Sequence, residues 1–126
     1  MLKTTGIDHV NLSVINLEES CTFWKKLLGF KTLEDMPEEN GKIIGTNKAM
    51  LALYESPEMV RRGESGFAHV CFHIENFSEI EATCAEHGIE VLYGGIVNWP
   101  KSRSIYVADP NGYDIELAEV WGGGLV

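Results

Sequence analysis

The sequence contains no apolar run near the roughly 20 residues that a membrane-spanning helix requires, and its opening stretch MLKTTGIDHV lacks the apolar core of a signal peptide. Both absences point to the cytoplasm. Cysteine is scarce: there are three, an odd number, with no CxxC pair. That argues against a disulfide framework and suits a reducing compartment. Positive charge is short as well. Ten Lys and Arg stand against 19 Asp and Glu, a net charge of -9, so phosphate backbones and anionic membrane surfaces are repelled. Neither nucleic acid nor a membrane is therefore expected as a partner. What is present, 126 residues of which 44% are hydrophobic and 23% charged, suffices for one compact domain with an ordinary core.

Within that length one stretch is written twice. GIDHVNLSVIN at residues 6 to 16 returns as GFAHVCFHIEN at 66 to 76, with Gly, His, Val and Asn at matching places. In the first copy Val10, Leu12 and Val14 alternate with His9, Asn11 and Ser13; in the second Val70, Phe72 and Ile74 alternate with His69, Cys71 and His73. Period two predicts strands with one apolar and one polar face. Each strand runs into a helix start, Asn16-x-x-Glu19 and Asn76-x-x-Glu79, patterned as an N-cap with Glu at N3. Gly29 and Gly88 fall where left-handed C-caps end the helices. Leu17, Cys21, Trp24 and Leu28 form the apolar stripe of the first helix, and Phe77, Ile80 and Cys84 that of the second, with both helical cysteines read as buried structural thiols.

Three strand-like pieces follow each helix: KTLED, KIIGT and AMLALY in the first half, IEVLYGG, SIYVAD and YDIELAEV in the second. The expected architecture is α+β, a single domain over 1–126 built from paired βαβββ modules. Module one spans about 5–55, a polar linker about 56–66, and module two about 67–120. Two such modules would form a cupped mixed sheet around a cavity, helices on the outer face, with the histidines of the copied strands lining it.

The βαβββ repeat, the strands DHVNLSV and AHVCFHI, and the C-terminal DPNGYDIELAE resemble the vicinal oxygen chelate superfamily over about residues 5 to 120. That group includes glyoxalase I, fosfomycin-modifying enzymes, extradiol ring-cleaving dioxygenases and bleomycin-resistance proteins. The resemblance implies one His from each module strand and a Glu from the motif DP-x-G-x-x-x-E as metal ligands, which here are His9, His69 and Glu116. Two imidazoles and a carboxylate suit one divalent ion per site, Fe, Mn, Co, Ni or Zn, with positions left open for two neighbouring substrate oxygens. The implied activity is that of a metal-dependent lyase, isomerase or dioxygenase acting on a small molecule. A metal-free binding protein of the bleomycin-resistance kind is the alternative, and a fosfomycin-modifying enzyme a lesser one. A homodimer is implied too, since in this superfamily modules pair within one chain or across two.

Several positions depart from these branches. Aligning AMLALY with YDIELA pairs Ala52 with Glu116, where glyoxalase I has a second metal-binding Glu. YVADPNGYDIE matches the ring-cleaving motif, but IVNWPKSRSIY before it lacks that branch's His. Ser104 and Tyr106 occupy phosphonate-contacting places of the fosfomycin branch, whereas Asn11 replaces its Thr and no Arg follows in LAEVWGGGLV. Beside the ligands, Tyr106 is a candidate donor to a developing oxyanion. His73, roughly 13 Å along the strand from His69 at about 3.3 Å per residue, is a candidate base or a rim residue. Asn11, Cys71 and Ala52 are expected to shape the pocket. Arg61, Arg62, Lys101 and Arg103 are the cations placed to meet an anionic substrate, and His87 is read as a charge near a helix C-terminus. Asp109-Pro110-Asn111-Gly112 is a turn that positions Glu116.

Overall fold

The computed structural model describes residues 1, 3, 5–60 and 67–121. Arg61, Arg62 and the end of the expected linker, up to Gly66, lie outside the described residues. The chain divides into two compact units, Met1–Val60 and Arg61–Val126. Each runs strand, helix, three strands, and each holds one four-stranded mixed sheet. Among the described residues no helix is long and apolar enough to cross a membrane.

In the first unit β1 (Val10–Val14), α1 (Leu17–Leu28), β2 (Lys31–Met36), β3 (Gly41–Gly45) and β4 (Met50–Glu55) form a sheet of order β1-β4-β3-β2. β1 runs parallel to β4 because α1 carries the chain back to the starting end, and the other neighbours are antiparallel. Alternation sorts the side chains as the sequence predicts. Leu12, Val14, Leu51, Leu53 and Ile44 are buried, while Asn11 and Ser13 are exposed. Asn16 caps α1 by accepting from the Glu19 amide at 2.8 Å, and Gly29 closes it at φ 68.

The buried face of α1 is turned from the expected stripe: Ser20, Phe23 and Trp24 go inward, and Cys21 is only partly covered. Trp24 sets this rotation. It is wholly buried, meets Phe23 edge-on at 5.3 Å and stacks on Phe30 at 5.8 Å, and Ser20 one turn earlier is small enough to go under the helix with it.

The second unit repeats the plan with β5 (His69–His73), α2 (Ile80–His87), β6 (Val97–Asn98), β7 (Arg103–Ala108) and β8 (Asp114–Ala118), ordered β5-β8-β7-β6. Two details differ from expectation. A 3-10 turn over Phe77–Glu79 precedes α2, and the Asn76 side chain donates to the Glu79 carboxylate at 2.5 Å instead of accepting from an amide. IEVLYGG is not a strand. Val91 makes one bridge to Val107, and then Tyr93, Gly94 and Gly95 take φ of 56, 77 and 103. Three consecutive left-handed residues cannot continue a ladder, so the pairing strand is delayed to Val97–Asn98.

Candidate functional site

In the second unit one sheet face is apolar and the other polar. Ile105, Val107, Ile115 and Leu117 are buried on the first. On the second, neighbouring strands bring Cys71, Glu116 and Tyr106 into one cross-strand row, since Cys71 pairs with Glu116 and Glu116 with Tyr106. His69 lies one step along β5 on the same face.

Glu116 is the hub of this row. Its Oε2 stands 3.0 Å from His69 Nε2, and its Oε1 accepts from the Ser104 hydroxyl at 2.6 Å. Trp99 Nε1 donates to the same Ser104 oxygen at 3.2 Å. Tyr106 meets both His69 and Tyr93 edge-on, with ring centroids 5.7 and 5.4 Å apart. Tyr93 donates its hydroxyl to Asp114, which shares the face of Glu116. Burial, then the charge of Glu116 and a hydrogen bond to it, push the Tyr106 hydroxyl up to about 12. The same causes in the same order push the Cys71 thiol up to about 12. At neutral pH both keep their protons, so the row presents donors around one carboxylate.

The turn before β8 sets where Glu116 falls. Asp109, buried, accepts from the amides of Asn111 at 2.9 Å and Tyr113 at 2.7 Å, and from the Asn111 side-chain nitrogen at 2.7 Å. Gly112 takes φ 86. This Asx-type closure locks the β7-β8 register, so Glu116 faces Tyr106.

The first unit carries the counterpart pairing, Asn11 with Ala52 and Ala52 with Ile43. His9 immediately precedes β1, and its Nδ1 lies 2.6 Å from Asp8 Oδ1. A carboxylate only accepts, so Nδ1 is the donor, and in the neutral imidazole Nε2 keeps its lone pair.

Other expected site residues are placed elsewhere. Arg103 alternates with Ser104 and therefore projects from the opposite face of β7. There it forks onto Glu119 at 2.8 and 2.6 Å and lies 4.9 Å over the Phe77 ring. Its expected role toward an anionic substrate would thus be played from the face opposite Glu116. His73 stacks on Trp121 at 4.6 Å, so its ring is a partner of an aromatic and does not join the row at Glu116. His87 ends α2, 3.9 Å from Glu86.

Three residues on or beside this face were not singled out in the sequence. Asp114 was legible, lying two positions from Glu116 on the same strand. Tyr93 and Trp99 gave no signal, because their contacts cross the sheet from irregular segments. Among the described residues no three His, Cys, Asp or Glu side chains are grouped as they would be to hold an ion; His69 and Glu116 meet as a pair, and His9 belongs to the first unit.

The sequence from residue 6 to 117 matches the family model described as Glyoxalase/Bleomycin resistance protein/Dioxygenase superfamily. A catechol-2,3-dioxygenase of Bacillus subtilis is 27% identical over 119 residues, covering 90% of this chain; the chain spans only 41% of that relative. Metallothiol transferase FosB of Staphylococcus saprophyticus is 30% identical over 115 residues, 89% of this chain and 75% of the transferase. The crystal structure of a glyoxalase family protein from Enterococcus faecalis superposes with a TM-score of 0.75 at 25% identity, covering 91% of this chain and 98% of that one. With two βαβββ units, their repeated strands and a family match across nearly its whole length, the chain belongs to the glyoxalase/bleomycin resistance/dioxygenase superfamily.

Proposed function

We propose that this protein is a small metal-dependent enzyme of the glyoxalase type, a lyase, isomerase or dioxygenase, that binds neighbouring oxygens of a small molecule at one divalent ion. The observation that carries the reading is the 3.0 Å approach of His69 Nε2 to Glu116 Oε2 on the polar sheet face. An imidazole and a carboxylate are donors that Fe, Mn, Co, Ni and Zn accept, and the sequence repeat supplies His9, with its Nε2 lone pair open, as the third ligand. Of these donors His69 and Glu116 already stand together, and their types suit such an ion. One of the relatives is itself named a metallothiol transferase. When bound, the ion would supply Lewis acidity to the substrate oxygens.

The protein's own groups take the remaining roles. Tyr106, protonated up to about 12, is a hydrogen-bond donor for a developing oxyanion, and its ring orients against His69. Cys71, protonated over the same range, shapes the wall and is no nucleophile. Ser104 holds Glu116. Asn11 and Ala52, side by side in the first sheet, are pocket-shaping residues in this reading, and Ala52 leaves the site with one carboxylate where a glyoxalase I has two. The assembly is a homodimer, with modules pairing in one chain or across two.

Elemental analysis of protein purified without chelator tests this. One ion per chain is expected, with a melting temperature that falls on chelation, and His69→Ala and Glu116→Gln should each lose the ion. Full occupancy in a His9→Ala, His69→Ala double variant would put the metal elsewhere. A wild-type protein with no ion and no response to chelator would instead point to a metal-free binding protein.

A further inference from the structure

We propose that Trp99 is a positioning residue for Glu116, acting through Ser104 to fix which carboxylate oxygen is offered to the ion. This rests on the reading of Glu116 as a ligand, but the hydrogen-bond logic is independent of it. An indole N–H can only donate. Since Trp99 Nε1 donates to Ser104 Oγ at 3.2 Å, it occupies an acceptor site of that hydroxyl. The hydroxyl must turn its single hydrogen elsewhere, and Glu116 Oε1 lies 2.6 Å away to take it. The direction of both bonds is thereby fixed: Trp99 to Ser104 to Glu116.

Both ends of this relay are anchored. Ser104 is 1% exposed, in the middle of the sheet face, paired with Ala118 on one side and Val97 on the other. Trp99 directly follows the short β6, and its backbone amide donates to the Ser102 carbonyl at 2.8 Å, which closes the β6-β7 hairpin and keeps the indole beside β7. With Oε1 engaged, the carboxylate presents Oε2, the oxygen already nearest His69. The relay thus holds the carboxylate in one orientation, with Oε2 toward His69. Without it, Oε1 loses the Ser104 donor, and the carboxylate is held less firmly about a terminal torsion that has broad, shallow wells. Groups that orient a metal ligand in this way are worth about 10- to 100-fold in metal affinity.

The experiment uses the intact chain and Zn2+ or Ni2+ alone, with affinity read by competition against a chromogenic chelator. Ser104→Ala should weaken binding at least about tenfold, and Trp99→Phe, which keeps an aromatic ring and removes only the donor, by several-fold. Ser104→Thr keeps the hydroxyl and should restore affinity to near wild type, which a loss of fold would not. A second readout needs no metal. The Trp99 indole N–H resonance, assigned by its disappearance in Trp99→Phe, should shift and exchange faster in metal-free Ser104→Ala. If Trp99→Phe and Ser104→Ala bind as tightly as a metal-binding wild type, or the indole signal ignores Ser104→Ala, the relay is overturned while the metal site stands. If wild type binds neither ion, the metal reading and the relay's role in it fall together.

Discussion

Ala52 holds in the first sheet the register place that Glu116 holds in the second: Ala52 pairs with Asn11 on the parallel neighbour strand, and Glu116 pairs with Cys71, each two residues beyond the repeated histidine. The two modules therefore differ at one equivalent place by a methyl against a carboxylate. Ala52 is 1% exposed, so Ala52→Glu would bury a charge and should destabilise the metal-free protein by more than about 3 kcal/mol. If that place faces the ion, Zn2+ or Ni2+ should recover the loss by gaining a ligand, and its affinity should exceed that of wild type. Thermal melts with chelator and with metal decide this. An equal drop in both conditions would detach Ala52 from the site.

Tyr106 offers a spectroscopic check on the polar row. Its hydroxyl is raised to about 12 by burial and by Glu116. The ultraviolet difference between wild type and Tyr106→Phe should therefore show a phenol ionising near 12, above the ordinary value near 10. The sign for stability follows from the native state holding this proton more tightly. The contribution is complete below about 10 and is lost as pH rises through about 12. A tyrosine titrating normally in that difference spectrum would mean the hydroxyl does not face Glu116.

Arg103 should prove separable from the site. Glu119 is held below the usual carboxylate range by its hydrogen bonds to Arg103. The stability this pair adds is present above the ordinary carboxylate value and disappears as pH falls through the lowered one. Arg103→Ala is expected to lower the melting temperature slightly at pH 7, with the gap to wild type closing in acid and metal affinity within about twofold of normal. A large loss of metal or substrate affinity would return Arg103 to the site.

Gly45 tests the geometry that places Ala52. A Cβ at this position would stand 2.0 Å from the Ala49 carbonyl oxygen, and its φ is 139. It sits at the β3-β4 turn, where the Thr46 amide donates to the same oxygen at 2.9 Å. Gly45→Ala should cost more than about 3 kcal/mol, among the largest single-residue effects. Gly94→Ala, left-handed at φ 77 but with open space around it, should cost only about 1 to 2 kcal/mol. Denaturant melts compare the two, and equal costs would mean that the β3-β4 contact gives way easily.

The parts of the fold legible in the sequence were those with a strong local period. His9 to Val14 and His69 to Ile74 announce strands because apolar and polar residues alternate, and Asn16 announces α1 because its capping bond is to a residue three positions on. Asn76 carries the same letters but bonds the Glu79 side chain, a choice between two nearby acceptors and donors that spacing does not decide. The run from Ile89 to Gly95 has strand composition, yet Tyr93 adopts a left-handed backbone, held by a hydroxyl bond to Asp114 across the sheet. The face of Arg103 was legible, since alternation from Ser104 sends it to the side opposite Glu116. Trp99 gave no sign of itself, since its partner lies across a hairpin whose exact turn the sequence leaves open.

The raised thiols have a practical consequence. Burial first of all pushes the Cys71 thiol up to about 12, and it is also the first cause raising Cys21 and Cys84. At pH 7 the reactive thiolate of Cys71 is on the order of one molecule in 10^5. Oxidation and alkylation both proceed through that thiolate, so Cys71 is poorly suited to sensing peroxide or to forming mixed disulfides. Cys71 should therefore resist alkylation at neutral pH, which labelling with iodoacetamide at pH 7 would show. Metal titrations then need no dithiothreitol on account of Cys71, and without that competing soft ligand they report the affinity of the protein's own donors.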